Sequence, residues 1–142
     1  MTEMISIAVL LDIAALFGGM LAFTVVFAPL VFTQLPAAVA GGFIRAVFPW
    51  YYLYIVLLGG LGALGLAVLR GMATETGAMV LVALGAVYAR WSLMPTINHL
   101  RDRELAGDAD AAIGFKRRHR LSVIINGLQL LALAWVLVVV AW

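Results

Sequence analysis

Cysteine is absent from the sequence, and charged residues are scarce. The missing cysteine excludes disulfides and thiol chemistry within the chain. Only 11% of the 142 residues are charged, whereas soluble domains carry about 25%. Hydrophobic residues reach 65%, which is more apolar surface than a water-soluble domain of this size can bury. The composition therefore predicts a membrane protein.

Four apolar stretches occupy most of the chain and predict four transmembrane helices. We place these helices at residues 5–32, 41–69, 77–100 and 116–142. Each stretch can cross a hydrocarbon core of roughly 30 Å, which takes about 20 helical residues. The first is too long for a signal peptide and lacks a basic segment before it, so we expect it to remain as a helix. Because short connections make successive helices antiparallel neighbours, we predict an all-α, up-down four-helix bundle that forms one domain over residues 1–142.

Basic residues predict the orientation of this bundle. The connection at residues 99–120 contains six basic residues, and the opposite face of the bundle contains Arg70. The positive-inside rule then places residues 99–120 in the cytoplasm and both termini outside the inner (plasma) membrane. The run at residues 116–120 lies at a membrane helix end, where it favours contact with anionic lipids rather than nucleic acid. We expect the acidic residues of the same connection to neutralise part of this charge.

Asp12 is an ionisable residue inside the first predicted helix, about 10 Å from the helix start. That helix contains no basic residue that could pair with it. Since an ionised group in lipid is costly, Asp12 is either a proton or cation site facing the bundle interior or a neutral, hydrogen-bonded carboxyl that fixes packing. The sequence leaves both interpretations open, and it does not show which way the side chain faces.

A second set of polar residues falls toward the cytoplasmic ends of the predicted helices. Its members could line a polar vestibule that opens to the cytoplasm and binds a small solute or an ion. The alternative is a network of hydrogen bonds that only holds the helices together, with the long arginine side chains reaching the membrane surface. The candidate residues are Arg45, Arg90, Asn98, His119 and Asn126.

Recognisable catalytic and cofactor motifs are absent from the sequence. It contains no phosphate-binding glycine loop, no His-Glu-x-x-His zinc motif and no Gly-x-Ser-x-Gly nucleophile motif. His99 and His119 could each ligate a metal or haem, but they flank the polar connection without the spacing of a ligand pair. We therefore expect a protein that is not an enzyme and holds no metal or other cofactor.

Small residues recur at helical spacing and predict close helix contacts. One such series is Ala14, Gly18 and Ala22, and others lie in the second and third predicted helices. Small side chains allow membrane helices to approach closely. We favour contacts within one monomer, and the alternative is a homo-oligomer interface.

Several local strings resemble the transmembrane-protein-205-like family, in which bacterial members are integral-membrane domains of unknown function. The strings are Leu35-Pro36, Phe48-Pro49-Trp50-Tyr51-Tyr52, Ala89-Arg90-Trp91, Met94-Pro95 and the eight residues from Phe115 to Ser122. The resemblance implies a small polytopic membrane protein whose matched positions include Pro49, Arg90, Pro95, His119 and Ser122. Its animal members are associated with platinum-drug resistance and vesicle trafficking, and no biochemical activity defines the family. This chain has a shorter third loop than those members and lacks a histidine in helix one.

Two functions follow as alternatives. The first is a non-enzymatic inner-membrane protein that handles or transports a small solute or ion through the polar vestibule. The second is an accessory subunit that packs against a larger membrane complex. In both cases the expected partners are membrane lipids, with a homo-oligomer or a larger assembly as the protein partner.

Overall fold

Four long helices make up the fold, which is described here from a computed structural model covering residues 2–69 and 71–142. They are α1 (Glu3–Gln34), α2 (Ala37–Val68), α3 (Ala73–Leu105) and α4 (Ala109–Ala141). Each contains 32 or 33 residues and is long and apolar enough to cross a membrane. No strand occurs within the described ranges. The predicted all-α class and its four membrane helices are confirmed.

The helices are longer than the apolar stretches that predicted them. A helix of 33 residues extends for about 50 Å, well beyond a hydrocarbon core of roughly 30 Å. The excess is clearest between α3 and α4, where a turn of three residues separates the two helices. Gly107 takes a left-handed backbone conformation in this turn, with φ of 96°, which glycine adopts without steric cost. Residues 101–105 therefore extend α3, whereas residues 109–115 belong to α4.

Successive helices run antiparallel, and α4 closes the ring against α1. The register between α1 and α2 shows this direction, since Val9 meets Gly65 near one end of the pair and Phe23 stacks on Tyr51 farther along. We call the end with Glu3 and Ala141 the terminal end, and the end with the residue 106–108 turn the loop end. The buried core runs between them, and its large fully buried side chains include Ile13, Leu16, Met20, Ile55, Leu66, Met79 and Leu133.

Two π-helical turns interrupt α1 and α3, at Phe23–Phe27 and Ala89–Leu93. Each turn is followed two residues later by a proline, Pro29 or Pro95. Proline lacks a backbone N–H and its ring crowds the preceding turn, and a widened turn accommodates both effects without ending the helix. The two irregular regions lie in the half of the bundle nearer the loop end.

The outward faces of the four helices are apolar. Leu11 in α1, Leu61 in α2, Leu81 in α3 and Leu131 in α4 are 64%, 59%, 70% and 70% exposed. Monomeric soluble proteins rarely expose large apolar surfaces of this kind. A bundle that is apolar on every helix is suited to contact with lipid, as in a multi-pass membrane protein.

Candidate functional site

A set of four polar side chains, one from each helix, lies in the middle part of the bundle, on the loop-end side of Asp12. These side chains are Thr24 in α1, Tyr51 in α2, Arg90 in α3 and Asn126 in α4, and we call them the polar layer. Thr24 and Arg90 belong to the two π-helical turns. π-Helical turns often occur at functional sites. The polar layer is therefore a candidate functional site.

Three members of the layer form a chain of hydrogen bonds across three helices. The Tyr51 hydroxyl donates to Asn126 Oδ1 at 2.6 Å, and Asn126 Nδ2 donates to Thr24 Oγ1 at 3.0 Å. The Thr24 hydroxyl in turn donates to the Met20 carbonyl at 2.8 Å. The buried Tyr51 ring stacks on Phe23 with 4.1 Å between ring centroids, which fixes the direction of its hydroxyl. This chain satisfies its own polar groups and holds α1, α2 and α4 together.

Arg90 is the charged member of the layer and is only partly satisfied. Its Nη1 donates to the Pro49 carbonyl of α2, and its guanidinium lies 4.9 Å from the centre of the Trp91 ring. Its Nε is buried and has no hydrogen-bond partner within the described residues. Arginine keeps its charge in proteins, and a buried N–H without an acceptor is costly. Arg90 therefore presents a positive charge and an unused donor inside the membrane-spanning part of the bundle.

Arg45 and Asn98 lie together, closer to the loop end than the polar layer. Arg45 Nη2 is 2.8 Å from Asp102 Oδ1 and donates to the Asn98 main-chain carbonyl at 3.5 Å. The Arg45 and Asp102 side chains are 40% and 58% exposed, and solvent screening leaves an exposed pair of this kind with little effect on stability. Arg45 therefore already has an acidic partner, unlike Arg90.

His119 lies on the exposed surface of α4. Its ring is stacked on Phe115, with 5.8 Å between the ring centroids, and its carbonyl accepts a hydrogen bond from the Ser122 hydroxyl. The structure thus brings Arg90 and Asn126 into one layer, pairs Arg45 with Asn98, and leaves His119 apart from both groups. A ligand-binding role for any of the five stays a prediction.

Sequence reasoning missed Thr24 and Tyr51 as members of the site. Neither side chain is charged, and a threonine hydroxyl in an apolar helix usually bonds to the backbone of its own helix. The proline that follows each π-helical turn was the available signal, because it marks where a helix becomes irregular. Tyr51 offered no comparable signal, since its partner Asn126 is far away in the sequence.

Asp12 lies nearer the terminal end than the polar layer does. It is half-buried, it faces Gly62 of α2, and its Oδ2 has no hydrogen-bond partner in the described part of the chain. The Asp12 side chain, whose direction could not be predicted from the sequence, therefore points toward the neighbouring helix α2. Within residues 2–69 and 71–142, no three histidine, cysteine or acidic side chains form a group that could hold a metal ion.

The fold and this site define a four-helix, multi-pass membrane protein with a polar layer inside the bundle. Residues 11–105 match the family model of a domain of unknown function, DUF4149. Since the match covers more than half of the chain, the protein belongs to this family. The matched region includes Asp12, Thr24, Tyr51 and Arg90 and ends before Asn126 and the basic run at residues 116–120.

No curated protein and no solved structure matches the chain. The family match supports a domain of unknown function, and its membrane character rests on the four long apolar helices. The match gives no support for the more specific likeness to the transmembrane-protein-205-like family, which stays a prediction from the sequence.

Proposed function

We propose that this protein is a non-enzymatic protein of the inner membrane that handles a small anionic solute at the polar layer. The observation that carries this proposal is the state of Arg90. Its charge lies within a membrane-spanning helix, its Nε has no acceptor in the described residues, and it takes part in none of the ion pairs described there. A carboxylate or a phosphate oxygen would complete the hydrogen bonding of this guanidinium.

Two contacts outside the polar layer, with Pro49 and Trp91, support binding by holding Arg90 in position. The contact with the Pro49 carbonyl fixes one end of the guanidinium, and the Trp91 ring lies against its face. Preorganised donors of this kind bind an anion with little loss of side-chain freedom. In this proposal Arg45, Asn98 and His119 lie toward the water at the loop end, where they would form the approach to the layer.

Thermal unfolding of the detergent-purified protein tests this proposal. We expect inorganic phosphate or acetate to raise the melting temperature of the wild type by a few degrees and to have no effect on Arg90→Gln. Arg103→Gln is the matched control, because it removes an arginine that already pairs with Asp108 and has no place in the proposed site. Equal shifts for the wild type and Arg90→Gln with both anions would contradict the proposal.

A second arm of this experiment identifies the source of the anion. The same chemistry could come from a free solute or from a lipid head group, so the unfolding is repeated with phosphatidylglycerol and with phosphatidylcholine. A head-group site responds to the anionic lipid and not to phosphate or acetate. A solute site responds to the free anions regardless of the lipid.

The accessory-subunit alternative is favoured by one specific observation. Ala14, Gly18 and Ala22 of α1 are exposed, and a Cβ added at Gly18 would meet nothing within 4 Å. This small-residue series therefore faces outward, whereas Gly59 packs against Ala83 inside the monomer. A flat outward face allows another helix to approach closely. Native electrophoresis after mild solubilisation tests this function, since a subunit would migrate with a larger assembly that a Gly18→Ile substitution disperses.

A further inference from the structure

The Asp12 carboxyl occupies space beside Gly62 of α2, which has no side chain to fill it. A Cβ added at Gly62 of α2 would lie 2.9 Å from Asp12 Oδ2 and 2.5 Å from Met79 Cε of α3. The carboxyl thus lies where α1, α2 and α3 meet, against a glycine and a thioether side chain. Neither neighbour offers a positive charge.

Few titratable groups lie near this carboxyl. On α2, Tyr54 donates its hydroxyl proton to the Ala15 carbonyl at 2.5 Å. On α3, Glu75 is buried one helical turn before Met79, and it carries no positive charge that could pair with Asp12. On α4, residues 121–141 contain no titratable side chain. On α1 itself, Glu3 is exposed at the terminal end of the helix.

An ionised carboxylate is therefore poorly suited to this position. Burying a charge without a partner is so costly that the group takes up a proton instead. The Oδ2 atom is buried and has no hydrogen-bond partner in the described residues, and the residues around it supply no counter-charge. Asp12 also lies about 18 Å along the helix axis from Thr24, so the polar layer does not neutralise it.

We propose that Asp12 is a proton-binding site, a carboxyl that carries its proton at neutral pH where α1, α2 and α3 meet. The neutral acid keeps α1 packed against Gly62, and loss of the proton would place a charge against Gly62 and Met79 and weaken this contact. This inference does not depend on the anion site at Arg90, which lies nearer the loop end.

Infrared spectroscopy of the protein in lipid bilayers tests the proposal. We expect the carbonyl stretching band of a protonated carboxylic acid at neutral pH in the wild type, its loss in Asp12→Asn, and its persistence in the control Glu75→Gln. A band that is absent from the wild type, or that is unchanged in Asp12→Asn, would overturn the proposal.

A chemical test avoids dependence on the Asp12→Asn variant, which could fail to fold. Hydrophobic carbodiimides react with protonated carboxyls inside membranes, so treatment of the wild type should add the reagent mass to the peptide that contains Asp12. Labelling should fall as the pH is raised and the proton is lost. Labelling of Asp12 that appears only in acid would show that the carboxyl is accessible but ionised at neutral pH, and would refute the proposal.

A pair of glycine variants tests the geometry directly. Gly62→Ala should displace the carboxyl and lower carbodiimide labelling at Asp12 or shift the infrared band. Gly60→Ala is the matched control, because a Cβ at Gly60 meets nothing within 4 Å. Wild-type labelling and an unshifted band in Gly62→Ala would contradict the placement of the carboxyl against Gly62.

Discussion

At the scale of single residues, the scarcity of charged side chains distinguished Arg90 and Asp12 as candidate functional residues, whereas the uncharged Tyr51 was not distinguished in this way. Arg90 and Asp12 stand out in the sequence because an ionisable group inside an apolar helix requires a physical explanation. The contacts that each one makes could not be predicted, since a uniformly apolar helix gives no indication of its rotation about its own axis. Tyr51 shows the same limit, because its hydrogen bond to Asn126 depends on the rotation of both helices.

The hydrogen bond between Tyr51 and Asn126 leads to a prediction about stability. Tyr51→Phe keeps the ring stacked on Phe23 and removes the hydroxyl, so Asn126 Oδ1 loses its donor. We expect Tyr51→Phe to lower the free energy of unfolding, with a coupling energy between Tyr51 and Asn126 of about 0.6 kcal/mol and no more than about 1.7 kcal/mol, as double-mutant cycles give for hydrogen bonds between membrane helices. A double-mutant cycle with Asn126→Ala, measured by unfolding in mixed micelles, reports this coupling.

Tyr88→Phe is the control for that cycle, because Tyr88 is exposed. We expect it to leave the unfolding free energy unchanged. Additive effects of Tyr51→Phe and Asn126→Ala would show that the hydrogen bond contributes nothing to the stability of the bundle.

At the scale of helices, the apolar stretches predicted that four membrane helices are present, but they did not predict the length of each helix. Hydrophobicity marks the part of a helix that lies in lipid, whereas the ends of α3 and α4 lie beyond it and follow local rules. Asp108 illustrates such a rule, since its Oδ1 accepts a hydrogen bond from the Ala111 N–H at 3.1 Å and caps α4. The two π-helical turns were also not predicted, because the prolines that follow them indicate an irregular helix without indicating which hydrogen-bond pattern it adopts.

The Asp108 cap predicts a pH dependence at the start of α4. The hydrogen bond from the Ala111 N–H, followed by that from Arg103, holds the pKa of Asp108 below its usual value. Because the folded pKa is depressed, the contribution of this carboxylate is present above the unfolded pKa of about 3.9 and is lost as the pH falls below it. Asp108→Ala should lower the melting temperature by a few degrees at neutral pH, with a smaller effect in acid.

Asp108→Asn separates the cap from the charge. Asparagine caps helices about as well as aspartate, so this variant should retain protection of the first amides of α4 against hydrogen exchange while losing the pH dependence. Equal exchange rates in Asp108→Ala and the wild type would show that the side chain does not stabilise the helix start.

At the scale of the whole molecule, the distribution of ion pairs changes the expected charge of the loop end. The acidic residues of this region were expected to neutralise part of the charge of the basic run at residues 116–120. Instead Asp102, Glu104 and Asp108 pair with Arg45, Arg101 and Arg103. In the described residues the basic run takes part in no ion pair of that set, so its charge faces the surroundings. Each such residue gains about 1 kcal/mol near an anionic membrane surface.

This unneutralised charge leads to our prediction of orientation, in which the loop end lies in the cytoplasm. The absence of cysteine allows a direct measurement, because a single introduced thiol is the only one in the protein. Ala106→Cys places it in the exposed turn at the loop end, and Thr74→Cys places it on the exposed start of α3 at the terminal end. In intact cells a membrane-impermeant maleimide should label Thr74→Cys and leave Ala106→Cys unlabelled until the cells are broken. The reverse labelling pattern would invert the proposed topology and place the approach to Arg90 on the outer face of the membrane.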